Sequence, residues 1–170
     1  MNRKYNWQMV AVLTLIPLIG IFGTAIYAYS NGVVWQEPAL LISGWWIAGM
    51  GITFGYHRLF AHRSFKAHPA VQFIAMIAAS AALQNTILKW CSDHRTHHNN
   101  LDTEEDPYSI TKGFFHAHIG WVIEDKPVEI KGVHDLEKNP IVMFQHKYYW
   151  VIGIGLAFVL PLVIGAFYGR

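Results

Sequence analysis

The chain has 170 residues, room for about one domain, with 13 Lys/Arg against 11 Asp/Glu and a formal net charge of +2. The cations form no stripe and the aromatics lie mostly in apolar context, which argues against a nucleic-acid partner. The single cysteine, Cys91, excludes an internal disulfide and cysteine-built zinc or iron–sulfur sites, so metal chemistry here must rest on histidine and carboxylate.

Arg3 and Lys4 precede an uncharged run of 21 residues at 9–29. At about 1.5 Å per residue this matches the roughly 30 Å hydrocarbon layer of a bilayer. A cleaved leader would also begin with basic residues, but the run is longer than a usual apolar leader core and no A-x-A site closes it. A second uncharged run covers 39–56, with Pro38 placed for a helix start, and a third covers 148–168. Tyr and Trp gather at the ends of the runs (Trp7, Tyr29, Trp35, Tyr56, Tyr148, Trp150), as interface anchors do. The expectation is an all-α integral membrane protein with three transmembrane helices.

Between the second and third runs lies a polar block, 57–147, with ten Lys/Arg and ten Asp/Glu. Arg58, Arg63 and Lys66 follow the second run, whereas the loop at 30–37 has no Lys or Arg. The positive-inside rule then places the N-terminus and the polar block in the cytosol. Inside the block, 69–83 is apolar but has only 15 residues, roughly 22 Å of helix, too short to span. It reads as a buried or interfacial helix.

Ten histidines are present, and two groups stand out by spacing. His57 and His62 form H-x4-H directly after the second run. His94, His97 and His98 form H-x2-H-H; on a helix these occupy i, i+3 and i+4 and project from one face. His57 and His62, at i and i+5, align less well and could address one site from a helix end or two neighbouring metals. Neutral nitrogen donors from two helices suit iron, copper or zinc rather than calcium or magnesium. His68, His116, His134 and His146 read as ordinary hydrogen-bonded residues, with His118 in an aromatic run less easily placed. Asp93 and Asp106 are candidate acceptors for the distal N–H of a ligating imidazole. Lys89, Arg95 and Lys112 read as surface cations, with an anionic headgroup as the alternative.

These residues resemble a known family. HRLFAH at 57–62, Gln84-Asn85, Trp90, DHRTHH at 93–98, Asp106-Pro107, GFF at 113–115 with HIGW at 118–121, and QHKYY at 145–149 are similar, in order, to the acyl-CoA Δ9 desaturases of stearoyl-CoA type. The resemblance implies a di-iron centre that, with O2 and two electrons from an external donor (ferredoxin, rubredoxin or cytochrome b5 type), places a cis double bond in a saturated acyl chain. It also implies an acyl thioester substrate, acyl-CoA foremost, and a bilayer setting. By that resemblance His57, His62, His94, His97 and His98 are iron ligands, and Gln84, Asn85 and Trp90 line the bend of an acyl tunnel. Trp45 and Gly49 lie near the tunnel's closed end and limit chain length. Ser92 stands where the family frequently has Arg, which leaves the acyl carrier open between CoA, acyl-carrier protein and a lipid.

The family carries nine histidine ligands, with a fourth span and a third box, H-N-x-H-H, after the spans matched here. Residues 1–170 hold five of the nine, so either another polypeptide completes the site or, as is expected here, the chain is a C-terminally incomplete desaturase domain, and the activity of these residues by themselves is in question. The other readings are a histidine-box lipid hydroxylase and a non-catalytic metal- or haem-binding membrane protein. Haem pairs, however, normally lie within facing spans rather than just outside them.

Overall fold

The structure, a computed structural model, describes residues 4–169; Arg3, one of the two cations ahead of the first span, lies outside them. In chain order the main helices are α1 (Trp7–Asn31), α2 (Gln36–Ala61), α3 (Pro69–Ser80), α4 (Ile87–Asn99), α5 (His134–Glu137) and α6 (Pro140–Phe167). No strand occurs among the described residues beyond one isolated bridge between Tyr5 and Glu124. α1, α2 and α6 are each long and apolar enough to cross a membrane. The protein is a helical membrane protein.

Each spanning helix outruns its apolar stretch. α2 continues through His57 to Ala61, and α6 starts at Pro140 rather than near residue 148. Helices do not stop where hydrocarbon stops. α6 begins where its start signals stand, with Asn139 accepting from the Ile141 N–H at 3.0 Å and Pro140 in the first turn. Its polar residues Gln145 and Lys147 ride on the helix, and the backbone kinks at Tyr148 (φ −109°, ψ 15°).

The chain divides into two compact units. One comprises residues 4–35 and 100–128. In it α1 buries no residue, as suits a helix apolar on every side. The Asn6 N–H donates to the Ile123 carbonyl at 2.8 Å and the Asp125 N–H to the Lys4 carbonyl at 3.0 Å, tying the entry of α1 to the loop segment of the same unit. Lys112 donates to the Glu104 carbonyl at 2.8 Å, so it braces its own loop. His116 is buried, with Nδ1 3.1 Å from the Glu124 carboxylate and Nε2 3.2 Å from the Pro107 carbonyl.

The other unit comprises residues 36–99 and 129–169 and carries the packed core. α3 lies against α2 and α6, with Ala75, Met76, Ala79 and Ser80 buried and Val71, Phe73 and Ile74 exposed. The contact is backbone-close: a Cβ at Gly51 would sit 2.3 Å from the Ala79 nitrogen, and one at Gly55 3.2 Å from the Ala75 Cβ. Small residues facing small residues are how helices approach each other where no water drives association. Gly51 lies six residues before His57, more than one full turn deeper along α2. α3 and α4 therefore form a hairpin whose tip reaches into the level of the apolar spans.

That tip is not helical, with Leu83 and Asn85 at φ 53° and 78°. Irregular backbone at such a depth needs internal partners. The Asn85 N–H donates to the Tyr149 hydroxyl (2.7 Å), and the Tyr56 hydroxyl donates to the Asn85 carbonyl (3.0 Å). Gln145, fully buried, accepts from the Ile87 N–H (3.1 Å) and donates to the Tyr56 hydroxyl (2.7 Å). One side chain from α6 thus joins the start of α4 to α2.

Candidate metal centre

In an α-helix, positions i and i+5 diverge around the axis. From Gly51 to Ala61, however, α2 is wound as a π-helix, with i→i+5 hydrogen bonds. The His62 N–H donates to the His57 carbonyl at 2.9 Å, which sets the two residues one above the other. H-x4-H is thus to a π-helix what H-x3-H is to an α-helix. The two Nε2 atoms come within 3.1 Å.

The second helix joins them. The His94 Nε2 lies 3.0 Å from the His62 Nε2, and one ligand atom from each of His57, His62, His94 and His98 falls within 4.8 Å of the others. His97 lies outside that set, its ring centroid 6.4 Å from that of His94 and 5.4 Å from that of His98. Two of the four, His62 and His98, are exposed, so the group is open on one side.

These spacings fit a metal. Ligands held about 2.1 Å from one ion at right angles stand about 3.0 Å apart. A single proton between imidazoles satisfies one lone pair, or two poorly, whereas a cation accepts from all of them. The donors are also in the form that binds. Burial, and after it the charge of His57, His98, His62 and His97, holds His94 down at about 4, and burial likewise lowers His62. Neutral imidazole is the ligand state. Cys91 is buried, donates toward the Tyr56 carbonyl (3.6 Å) and has its thiol pushed up to about 12 by burial, so it is no thiolate donor.

Of the other residues singled out in the sequence, Trp90 stacks on His94 (centroids 4.8 Å apart) and donates to the Gln84 Oε1 at 3.4 Å. Asn85 caps its own turn, its Oδ1 accepting from the Thr86 N–H at 2.9 Å. Trp45 is 75% exposed and a Cβ at Gly49 would meet nothing within 4 Å; Trp45 stands 12 residues before His57 along α2. The Asp93 carboxylate takes the Lys89 ammonium one turn earlier, and burial raises its pKa against that pairing. Asp106, buried, accepts from the Asp102 N–H (3.0 Å) and the Tyr108 N–H (3.1 Å) in its own turn. Ser92 is buried and accepts from the Lys131 N–H at 2.8 Å, a packing role.

Two side chains matter more than their sequence context suggests. Lys89 is no free surface cation, being paired with Asp93. Arg95 runs inward, where it donates to the Phe60 and Ala61 carbonyls at the end of α2, to the Gly132 carbonyl and to both oxygens of Asp135. Its place between His94 and His97 was the only signal available in the sequence.

No protein-family model matches the chain. Individual relatives do. An acyl-CoA Delta-9 desaturase of Acheta domesticus is 36% identical over 96% of this chain and 46% of its own length. An acyl-CoA Delta(11) desaturase of Choristoneura rosaceana is 37% identical over 98% of this chain and 51% of its own. The stearoyl-CoA desaturase of Homo sapiens is 31% identical over 95% and 46%. The chain spans about half the length of the curated relatives it matches.

Proposed function

Because the chain is a relative of the acyl-CoA desaturases along nearly its whole length, we propose that it holds the first part of the metal centre of a membrane fatty acyl desaturase. The observation that carries this is the meeting of His57 and His62 on α2 with His94 on α4 at Nε2 separations of 3.0–3.1 Å. His57, His62, His94, His97 and His98 would hold iron, His97 on the flank addressing a second ion. Five imidazoles do not saturate two irons, so further donors complete the set. With O2 and two electrons from an external donor, iron supplies the oxidant that an unactivated C–H bond requires.

The chain's own residues position and exclude. Trp90, stacked on His94, lays an apolar wall beside the metal ligands, against which an acyl chain from a thioester such as acyl-CoA can be held still and dry. Gln84 and Asn85, at the tip of the hairpin, shape the bend, while Trp45 and Gly49 on α2 set the depth. Asp93, adjacent to His94, would support the ligand shell. The Lys/Arg distribution supports a cytosolic N-terminus and a cytosolic metal centre.

Metal analysis and lipid analysis test the reading together. Protein purified from membranes should carry iron, which His94→Ala removes without loss of membrane insertion. Cells expressing a version in which further donors complete the site should form cis-unsaturated product, and the same version with His94→Ala or His97→Ala should form none. Normal unsaturated product from either variant would refute the ligand assignment.

A further inference from the structure

We infer that Arg95 is a positioning residue for this centre: its guanidinium locks the end of α2 that carries His62 against the turn of α4 that carries His94. The inference rests on the metal-centre reading above.

A guanidinium has five N–H donors in a fixed plane, and here five acceptors meet them. Nε donates to the Ala61 carbonyl at 2.9 Å, and one terminal nitrogen donates to the Phe60 carbonyl at 2.8 Å. The other donates to the Gly132 carbonyl at 2.7 Å. Asp135 takes the remaining pair, at 2.7 and 3.0 Å. The side chain is 13% exposed, so it is not a cation offered to a headgroup.

Phe60 and Ala61 carry the last carbonyls of α2, which have no further helical turn to bond them. They immediately precede His62, as His94 immediately precedes Arg95. The guanidinium therefore closes a short rigid circuit running His94, Arg95, Ala61, His62, and back across the 3.0 Å gap between the two imidazoles. Asp135 and Gly132 hold the far edge of the plane, so it cannot swing away. A lysine reaches one point with three donors and cannot join two carbonyls to a carboxylate.

The full chain in detergent, titrated with Co(II), tests this, because the visible ligand-field band reports ligand number and geometry. His62→Ala supplies the spectrum of a site lacking one ligand. Arg95→Gln and Arg95→Lys are expected to weaken Co(II) binding by about 10- to 100-fold and, at saturation, to shift the band toward that of His62→Ala. Asp135→Ala should move both in the same direction by less. A role confined to holding the fold would lower melting temperature and leave the saturated spectrum unchanged. A folded Arg95→Lys or Arg95→Gln protein with wild-type affinity and band overturns the inference. Should both fail to fold, Asp135→Ala decides, and a wild-type band from it has the same force. A wild-type chain with no histidine-dependent Co(II) band removes the metal-centre reading, and this inference with it.

Discussion

The two histidine-bearing helices reach the same point by opposite routes. On α4 an ordinary α-helical face carries His94 and His98, and the i, i+4 spacing does the work. On α2 the spacing does not suit an α-helix, and the segment from Gly51 to Ala61 is wound as a π-helix instead. The first arrangement is local. The second is hemmed in by the rest of the unit: Gly51 and Gly55 against α3, the Tyr56 hydroxyl in a buried network, and Arg95 over the last carbonyls. A centre built this way is more easily broken from the α2 side, by changes remote from any ligand.

The largest effect should come from Gly51→Ala. The added Cβ would lie 2.3–2.7 Å from backbone atoms of Ala78 and Ala79, which cannot swing aside as a side chain can. Loss of about 3 kcal/mol is expected, with iron content falling because the π-wound segment begins at this residue. Gly49→Ala, two residues away in open space, should leave metal content unchanged and should not lower thermal stability. Equal behaviour of the two variants would show that α3 does not hold the winding of α2.

Gln145→Leu should come next. It leaves the Ile87 N–H without its 3.1 Å acceptor and takes a donor from the Tyr56 hydroxyl in a fully buried setting, a cost of about 1–3 kcal/mol. Since this side chain joins the start of α4 to α2, the loss should appear in thermal unfolding and in the protection of amides near residues 85–88 from hydrogen exchange. Wild-type protection there would mean that the two helices meet without help from α6.

How much of this was legible beforehand follows the same division. The three spans, the helical character of 69–80 and the same-face placement of His94 and His98 were readable, because each is written in local periodicity or length. For His57 and His62 the spacing leaves one site or two neighbouring metals open, since H-x4-H has no natural face on an α-helix and the π winding that aligns them is not written in local periodicity. His97 shares the periodicity of its neighbours but stands off from the group, a difference that spacing alone cannot express. Arg95 reads as a surface cation in the sequence because its five acceptors come from two distant stretches, 60–61 and 132–135. The uncharged run at 148–168 gives the apolar part of α6 and not its start, because a hydropathy boundary marks where lipid begins, whereas Asn139 and Pro140 mark where the helix does.

The smallest expected effect concerns the outer edge of the Arg95 clasp. Hydrogen bonding from Arg95, and then its charge, hold the Asp135 carboxyl below the usual carboxylate range. A carboxyl whose pKa is lower folded than unfolded adds stability that is present above the unfolded value, about 4, and is lost as pH falls through the folded one. Asp135 is 33% exposed and water screens the pair, so its share should be under about 1 kcal/mol. Asp135→Asn should accordingly unfold slightly earlier than wild type at pH 7, and the gap should close as the pH is lowered past 4. A gap that stays constant across that range would mean that shape and hydrogen bonding, rather than charge, make Asp135 the partner of Arg95. In that case the α2 side of the centre would be held by geometry alone, as the α4 side is.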